Sequence, residues 1–134
     1  MQHIICLIDD DRIYQFTTKR ILDATGLCKE ILVFGNGFEA ISYLEEHVHQ
    51  PELLPHVIFL DINMPTMDGW EFLEAFGLLQ SKLRQPIHIY MVSSSMDDYD
   101  IQKAKEYHLV TDYVIKPINK ERFEELIHKT ESPE

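Results

Sequence analysis

The chain has 134 residues, with 12 Lys and Arg against 23 Asp and Glu, and a formal net charge of −11. That length suits one domain with a real core, and 45% hydrophobic with 26% charged residues is the balance of a folded chain rather than a disordered one. The acidic excess disfavours nucleic acid or an anionic membrane surface as partner, because neutralising phosphates takes Lys and Arg. Along the chain, apolar runs alternate with helical patterns. Ile4–Ile8 is a continuous apolar run and reads as a buried strand. Ile13, Phe16, Ile21 and Ala24 then lie near one face of a helix stopped by Gly26. Ile31–Phe34 is a second strand, closed by Gly35-Asn36-Gly37. Phe38, Ile41, Tyr43 and Leu44 mark a second helix that reaches about His47 or His49. Val57–Leu60 is a third strand. Gly69–Leu79 follows as a helix with Trp70, Leu73, Phe76 and Leu79 in register. Ile87–Val92 is the fourth strand. Ser95-Met96-Asp97-Asp98 has capping-box spacing, with Asp in place of Glu or Gln, and opens a helix to about Tyr107. Tyr113–Ile115 is a short fifth strand. Asn119 caps a last helix in which Phe123, Leu126 and Ile127 share a face. Residues 1–130 thus form one domain, and the tail at 131–134 reads as loose.

No apolar run is long enough to span a bilayer, and Met1-Gln2-His3-Ile4 lacks a positive region and a cleavage site. Cys6 and Cys28 make no disulfide framework, and Cys6 belongs to a core strand. These features imply a cytoplasmic protein. His47–His56, with Pro51 and Pro55, lengthens the connection before the third strand and reads as a solvated loop, since His47-Val48-His49 has no third metal ligand in view.

Strands in strict alternation with helices imply a parallel sheet, because each return crossover is right-handed and takes a helix. Continuous apolar strands imply helices on both faces. The expectation is an α/β fold of three layers: a doubly wound, flavodoxin-like (βα)5 domain with strand order 2-1-3-4-5.

The residues that end each apolar run carry the chemistry. The first run ends in Asp9-Asp10-Asp11, the third in Asp61, the fourth in Ser93-Ser94-Ser95 and the fifth in Lys116-Pro117. In the 2-1-3-4-5 order these ends share one edge, and the ligand crevice opens between strands 1 and 3, the two that end in carboxylates. Clustered carboxylates repel unless a cation sits among them, and hard oxygen ligands with room for water suit Mg²⁺ or Mn²⁺. Zinc is disfavoured, because neither Cys nor a His pair falls at the strand ends. One of the three consecutive aspartates, Asp11, suits a helix cap instead. A metal, a hydroxyl and a lysine around an aspartate make a phosphoryl site, in which Lys116 neutralises oxygens and Ser93 donates a hydrogen bond. Pro117 stops the strand, and a cis bond before it would aim the lysine inward.

These residues resemble the CheY-like receiver domain of two-component response regulators, of the stand-alone, single-domain kind. The motifs are Leu7-Ile8-Asp9-Asp10-Asp11, Leu60-Asp61-Ile62-Asn63-Met64-Pro65-Thr66-Met67-Asp68-Gly69, Met91-Val92-Ser93-Ser94 and Tyr113-Val114-Ile115-Lys116-Pro117. They span His3 to about Lys129. The resemblance implies that Asp61 accepts a phosphoryl group from a phosphohistidine on a sensor histidine kinase or histidine phosphotransfer protein. It implies Mg²⁺, or Mn²⁺, bound by Asp10, Asp61 and the backbone carbonyl of Asn63, with Asp9 close by or acting through water. Ser93 and Lys116 would bind the phosphoryl oxygens. Ser93 and Tyr113 would form the switch, changing the face of helix 4, strand 5 and helix 5 toward a downstream protein. Asn63 and Ser95 stand where the family tunes dephosphorylation. No output domain, nucleic-acid partner or membrane partner is expected. Such a protein catalyses its own phosphotransfer and dephosphorylation and is not a turnover enzyme.

Two other readings remain. A haloacid-dehalogenase-like phosphatase would use Asp9 as nucleophile and Asp11 as acid–base, but it leaves Asp61 without a role and lacks an acidic pair after Lys116. A pseudo-receiver would only bind protein, although every required side chain is present.

Overall fold

A computed structural model describes residues 2–131. The elements in order are β1 (His3–Ile8), α1 (Arg12–Ala24), β2 (Cys28–Phe34), α2 (Gly37–Glu46), β3 (Val57–Asp61), α3 (Gly69–Leu79), β4 (His88–Ser93), α4 (Asp98–Lys105), β5 (Val110–Ile115) and α5 (Lys120–Lys129). All strands pair in parallel, in the order β2-β1-β3-β4-β5. This is the flavodoxin-like arrangement expected from the sequence. Two hydrophobic layers sandwich the sheet. One packs α2 and α3 against residues such as Cys6, Ile8 and Ile58, and the other packs α5 and Leu22 of α1 against Ile5, Phe59 and Tyr90. Alternate residues of each central strand serve opposite layers, which explains why β1 is apolar without interruption. Among the described residues, no helix is long and apolar enough to cross a membrane.

The edge strands run longer than their apolar cores. β2 begins at Cys28 rather than Ile31, and β5 at Val110 rather than Tyr113. Lys29, Glu30, Thr111 and Asp112 are exposed on these edges, and their polarity hides the strands: Glu30 pairs with Ile4 of β1 and Asp112 with Tyr90 of β4, while Lys29 and Thr111 sit where each register shifts by one residue.

The helix faces show the larger difference. α1 turns Thr18 and Leu22 to the core, while Ile13 and Phe16 are 80% and 64% exposed. The apolar positions of α1 cover more than one stripe, and the packing against α5 and the sheet selects only one of them. Phe38 likewise faces outward, and α2 is seated by Ala40, Ile41 and Leu44. α3 packs through Phe72, Leu73, Phe76 and Leu79, with Trp70 only partly covered against Tyr107. Ser95 does not cap α4. Asp97 does, accepting from the Tyr99 amide at 2.9 Å, and the Ser95 hydroxyl accepts from the Asp97 amide one step earlier. The helix ends at Lys105, short of Tyr107.

The connection at 47–56 is more than a solvated loop. Val48 and Leu54 are buried, Pro51–Leu53 forms a 3₁₀ turn, and His56 Nδ1 accepts the Ile4 amide at 2.9 Å. In the expected loose tail, Glu131 is held by His3 at 2.6 Å and His128 at 3.2 Å, while 132–134 lie outside the described residues.

Candidate functional site

Parallel strands carry their C-terminal ends to one edge, and that edge gathers Asp9, Asp10, Asp61, Ser93 and Lys116. Three local devices set the geometry. Asp11 caps α1, accepting from the Ile13 and Tyr14 amides at 3.0 and 3.1 Å, as expected of one of the three aspartates. Asp68 caps α3 in a reciprocal box with Glu71. Gly69, the first residue of α3, donates its amide to the Ile62 carbonyl at 2.7 Å. A Cβ there would stand 2.6 Å from the Asp61 carbonyl oxygen, so only glycine lets α3 start against the end of β3. Thr66, in the same loop, adopts φ 68°, a left-handed conformation costly for a β-branched residue.

Asp9 is 1% exposed. Its two carboxylate oxygens are engaged, Oδ1 by the Asp11 amide at 2.9 Å and Oδ2 by Lys116 Nζ at 2.9 Å. Lys116 Nζ also lies 3.6 Å from Asp61 Oδ1. Each of Asp9, Asp10 and Asp61 offers a carboxylate oxygen, and these oxygens lie within 4.8 Å of one another. Burial first, then the charges of Asp9 and Asp10, push Asp61 up to about 6 against the pull of Lys116. Burial alone would lower the Lys116 ammonium, but its bond to Asp9 and the charges of Asp61 and Asp9 raise it above the usual lysine value. Three converging hard oxygen donors with one lysine between them fit a small divalent cation.

Ser93 is buried, and its hydroxyl oxygen accepts the Ser95 amide at 3.0 Å. The Lys116 amide donates to the Ser93 carbonyl at 2.9 Å, tying the ends of β4 and β5 together. Tyr113 is half-buried and donates its hydroxyl to the Ser95 carbonyl at 2.9 Å, so Ser93 and Tyr113 meet through Ser95. The Lys116–Pro117 bond is cis. Asn63 is exposed in the loop two residues beyond Asp61. Two residues of α1 went unnoticed in the sequence. Gln15 donates to the Asp9 carbonyl, and the Tyr14 ring lies under Lys116, 4.1 Å from its nitrogen. A polar or aromatic residue one turn into a helix gives no sign in the sequence that it turns toward a neighbouring strand end.

The family model for the response regulator receiver domain matches residues 5–128, and the chain belongs to this family. It is therefore a receiver domain of two-component signalling. The structure of a two-component response regulator from Cytophaga hutchinsonii is similar, with TM-score 0.86 and 31% identity over 97% of this chain and 98% of that one. The probable methanogenesis regulatory protein FilR2 of Methanothrix harundinacea is 29% identical over 92% of this chain and 76% of its own length. The transcriptional regulatory protein HptR of Staphylococcus aureus is 31% identical over 92% of this chain but only 44% of its own length, so the chain spans less than half of that relative. The cluster of Asp9, Asp10 and Asp61 fits phosphorylation and Mg²⁺ binding.

Proposed function

We propose that Asp61 accepts a phosphoryl group from a phosphohistidine of a sensor histidine kinase or histidine phosphotransfer protein, and that the domain then signals through changed contacts with a downstream protein. The carrying observation is the Lys116 ammonium shared between Asp9 at 2.9 Å and Asp61 at 3.6 Å, above three converging carboxylates. Asp61 is favoured over Asp9 as nucleophile because Asp9 is buried with both oxygens engaged, whereas the Asp61 side chain retains 12% exposure. The same contrast disfavours a phosphatase built on Asp9, and Asp11 is occupied as a helix cap.

In the transfer, the phosphorus–nitrogen bond breaks with its electron pair left on the imidazole, and an Asp61 oxygen forms the new bond to phosphorus. Asp10, Asp61 and the Asn63 carbonyl would hold Mg²⁺, or Mn²⁺ in its place, with Asp9 close by or acting through water; when bound, the ion offsets the clustered negative charge and the charge on the phosphoryl oxygens. Lys116 turns from Asp9 toward the new oxygens. The Ser93 hydroxyl, already accepting from Ser95, has its proton free to donate to them. Drawing Ser93 inward perturbs Ser95 and with it the Tyr113 hydrogen bond, which carries the event to the α4–β5–α5 face. The domain acts in the cytoplasm and catalyses only its own phosphorylation and dephosphorylation.

Acetyl phosphate with Mg²⁺ is expected to add one phosphoryl group, mapped to Asp61 by mass spectrometry and absent in Asp61→Asn. Labelling at Asp9 with turnover of simple phosphate esters would identify a phosphatase instead. Absence of both labelling and any response to beryllofluoride would leave a protein-binding module.

A further inference from the structure

Tyr14 stands on the first turn of α1, half-buried, five positions beyond Asp9. The Lys116 nitrogen lies 4.1 Å from its ring centroid, 2.9 Å from Asp9 and 3.6 Å from Asp61. We infer that Tyr14 is a positioning residue for Lys116: its ring face keeps the ammonium beside Asp61 while leaving it free to move from Asp9 to an anion arriving there. This inference rests on the reading of Asp61 as the acceptor.

Lys116 is the flexible member of the pair. Its ammonium ends a flexible four-carbon stem and carries three rotatable donors. Buried Asp9 offers it one directed bond, which by itself would hold the ammonium away from the acceptor. An aromatic face attracts the cation through its quadrupole, but it presents no lone pair that fixes one direction. The ammonium can therefore change oxygen partners without leaving the ring. Lys116 is only 19% exposed, so solvent screens this attraction weakly. The placement of the ring is itself built in, because the Tyr14 amide donates to the Asp11 carboxylate at 3.1 Å. The three consecutive aspartates thus divide their work. Asp9 pairs with the lysine, Asp10 joins the carboxylate cluster, and Asp11 starts the helix in the register that puts Tyr14 under Lys116. A leucine at position 14 would fill similar space without attracting a cation. Phenylalanine would keep the face and lose only the hydroxyl.

The test compares Tyr14→Leu and Tyr14→Phe with the unmodified chain, using acetyl phosphate with Mg²⁺ and quantifying label on Asp61. Tyr14→Leu is expected to label about fivefold more slowly, the size of a partly desolvated cation–π contact, and Tyr14→Phe to label at the original rate. Mg²⁺ affinity measured without phosphodonor should be unchanged in both. A second readout needs no phosphorylation: the ring should shift the Lys116 ε-methylene protons upfield in the NMR spectrum of the original chain and of Tyr14→Phe, and not in Tyr14→Leu. Thermal unfolding confirms that each variant is folded. Unchanged labelling in a folded Tyr14→Leu, equal slowing in Tyr14→Phe, or a parallel loss of Mg²⁺ affinity would each overturn the assignment. Absence of label on Asp61 in the original chain would overturn the acceptor reading itself, and the role of Tyr14 with it.

Discussion

Asp61 holds its charge against its surroundings. Folding raises its pKa from 3.8 to about 6, through burial and the neighbouring Asp9 and Asp10 carboxylates. A carboxyl with a raised folded-state pKa supports folding below its unfolded value and loses that contribution as pH rises through the folded one. In the metal-free protein Asp61 therefore opposes folding at pH 8. Asp61→Asn is expected to raise the thermal midpoint there by roughly 4 °C or more. The advantage should shrink toward pH 4, and Mg²⁺ should narrow it at pH 8 by stabilising the parent chain, both read by calorimetry in EDTA or magnesium buffers. Equal midpoints at pH 8 would mean that the carboxylates do not repel as their spacing requires. Thr66 makes a second case. Its φ of 68° suits Asn better than a β-branched residue, and Thr66→Asn should raise stability by about 0.5 kcal/mol in urea unfolding.

At the scale of elements, the period of an apolar pattern shows that a helix exists more readily than which side it buries. Ile13 and Phe16 have the spacing of a core face, yet Thr18 and Leu22 occupy it. Leu22→Ala is expected to cost about 2–5 kcal/mol, by loss of transfer energy and the cavity left behind. Phe16→Ala should cost no more than about 0.5 kcal/mol, because its ring is largely in water apart from a contact with Arg20. Chemical denaturation of the pair decides which face of α1 is the core. Strand ends were the more legible feature: Asp9, Asp61, Ser93 and Lys116 stand at apolar-to-polar boundaries that any parallel sheet brings to one edge. The cap of α4 was not, since Ser95 and Asp97 both have capping chemistry and only the backbone path decides between them.

Across the whole molecule, the two ends of the sheet respond to acid in opposite senses. At the end away from Asp61, His56 Nδ1 accepts the Ile4 amide, and burial, with the nearby His3 and Lys29 charges, lowers its pKa below 6.5. A histidine with a lowered folded-state pKa contributes stability above its unfolded value, and that contribution disappears as pH falls through the folded one. His56→Asn should accordingly flatten the loss of urea stability between pH 7 and pH 5. The measurement belongs in the Asp61→Asn background, where the opposing carboxyl no longer titrates. An unchanged slope would show that another group, such as His88 with its pKa lowered by burial, governs the acid response.

Strand–helix alternation, the parallel sheet and the strand-end residues were all legible in the linear chain, because they follow from short-range periodicity and from the handedness of the crossovers. Tertiary structure alone decided that Tyr14 lies under Lys116, that Gly69 admits α3 to the end of β3, and that Ile13 and Phe16 face water. The difference is physical. Alternation is written in neighbouring residues, whereas the rotation of a helix about its axis is settled by contacts with residues far along the chain, as between Tyr14 and Lys116.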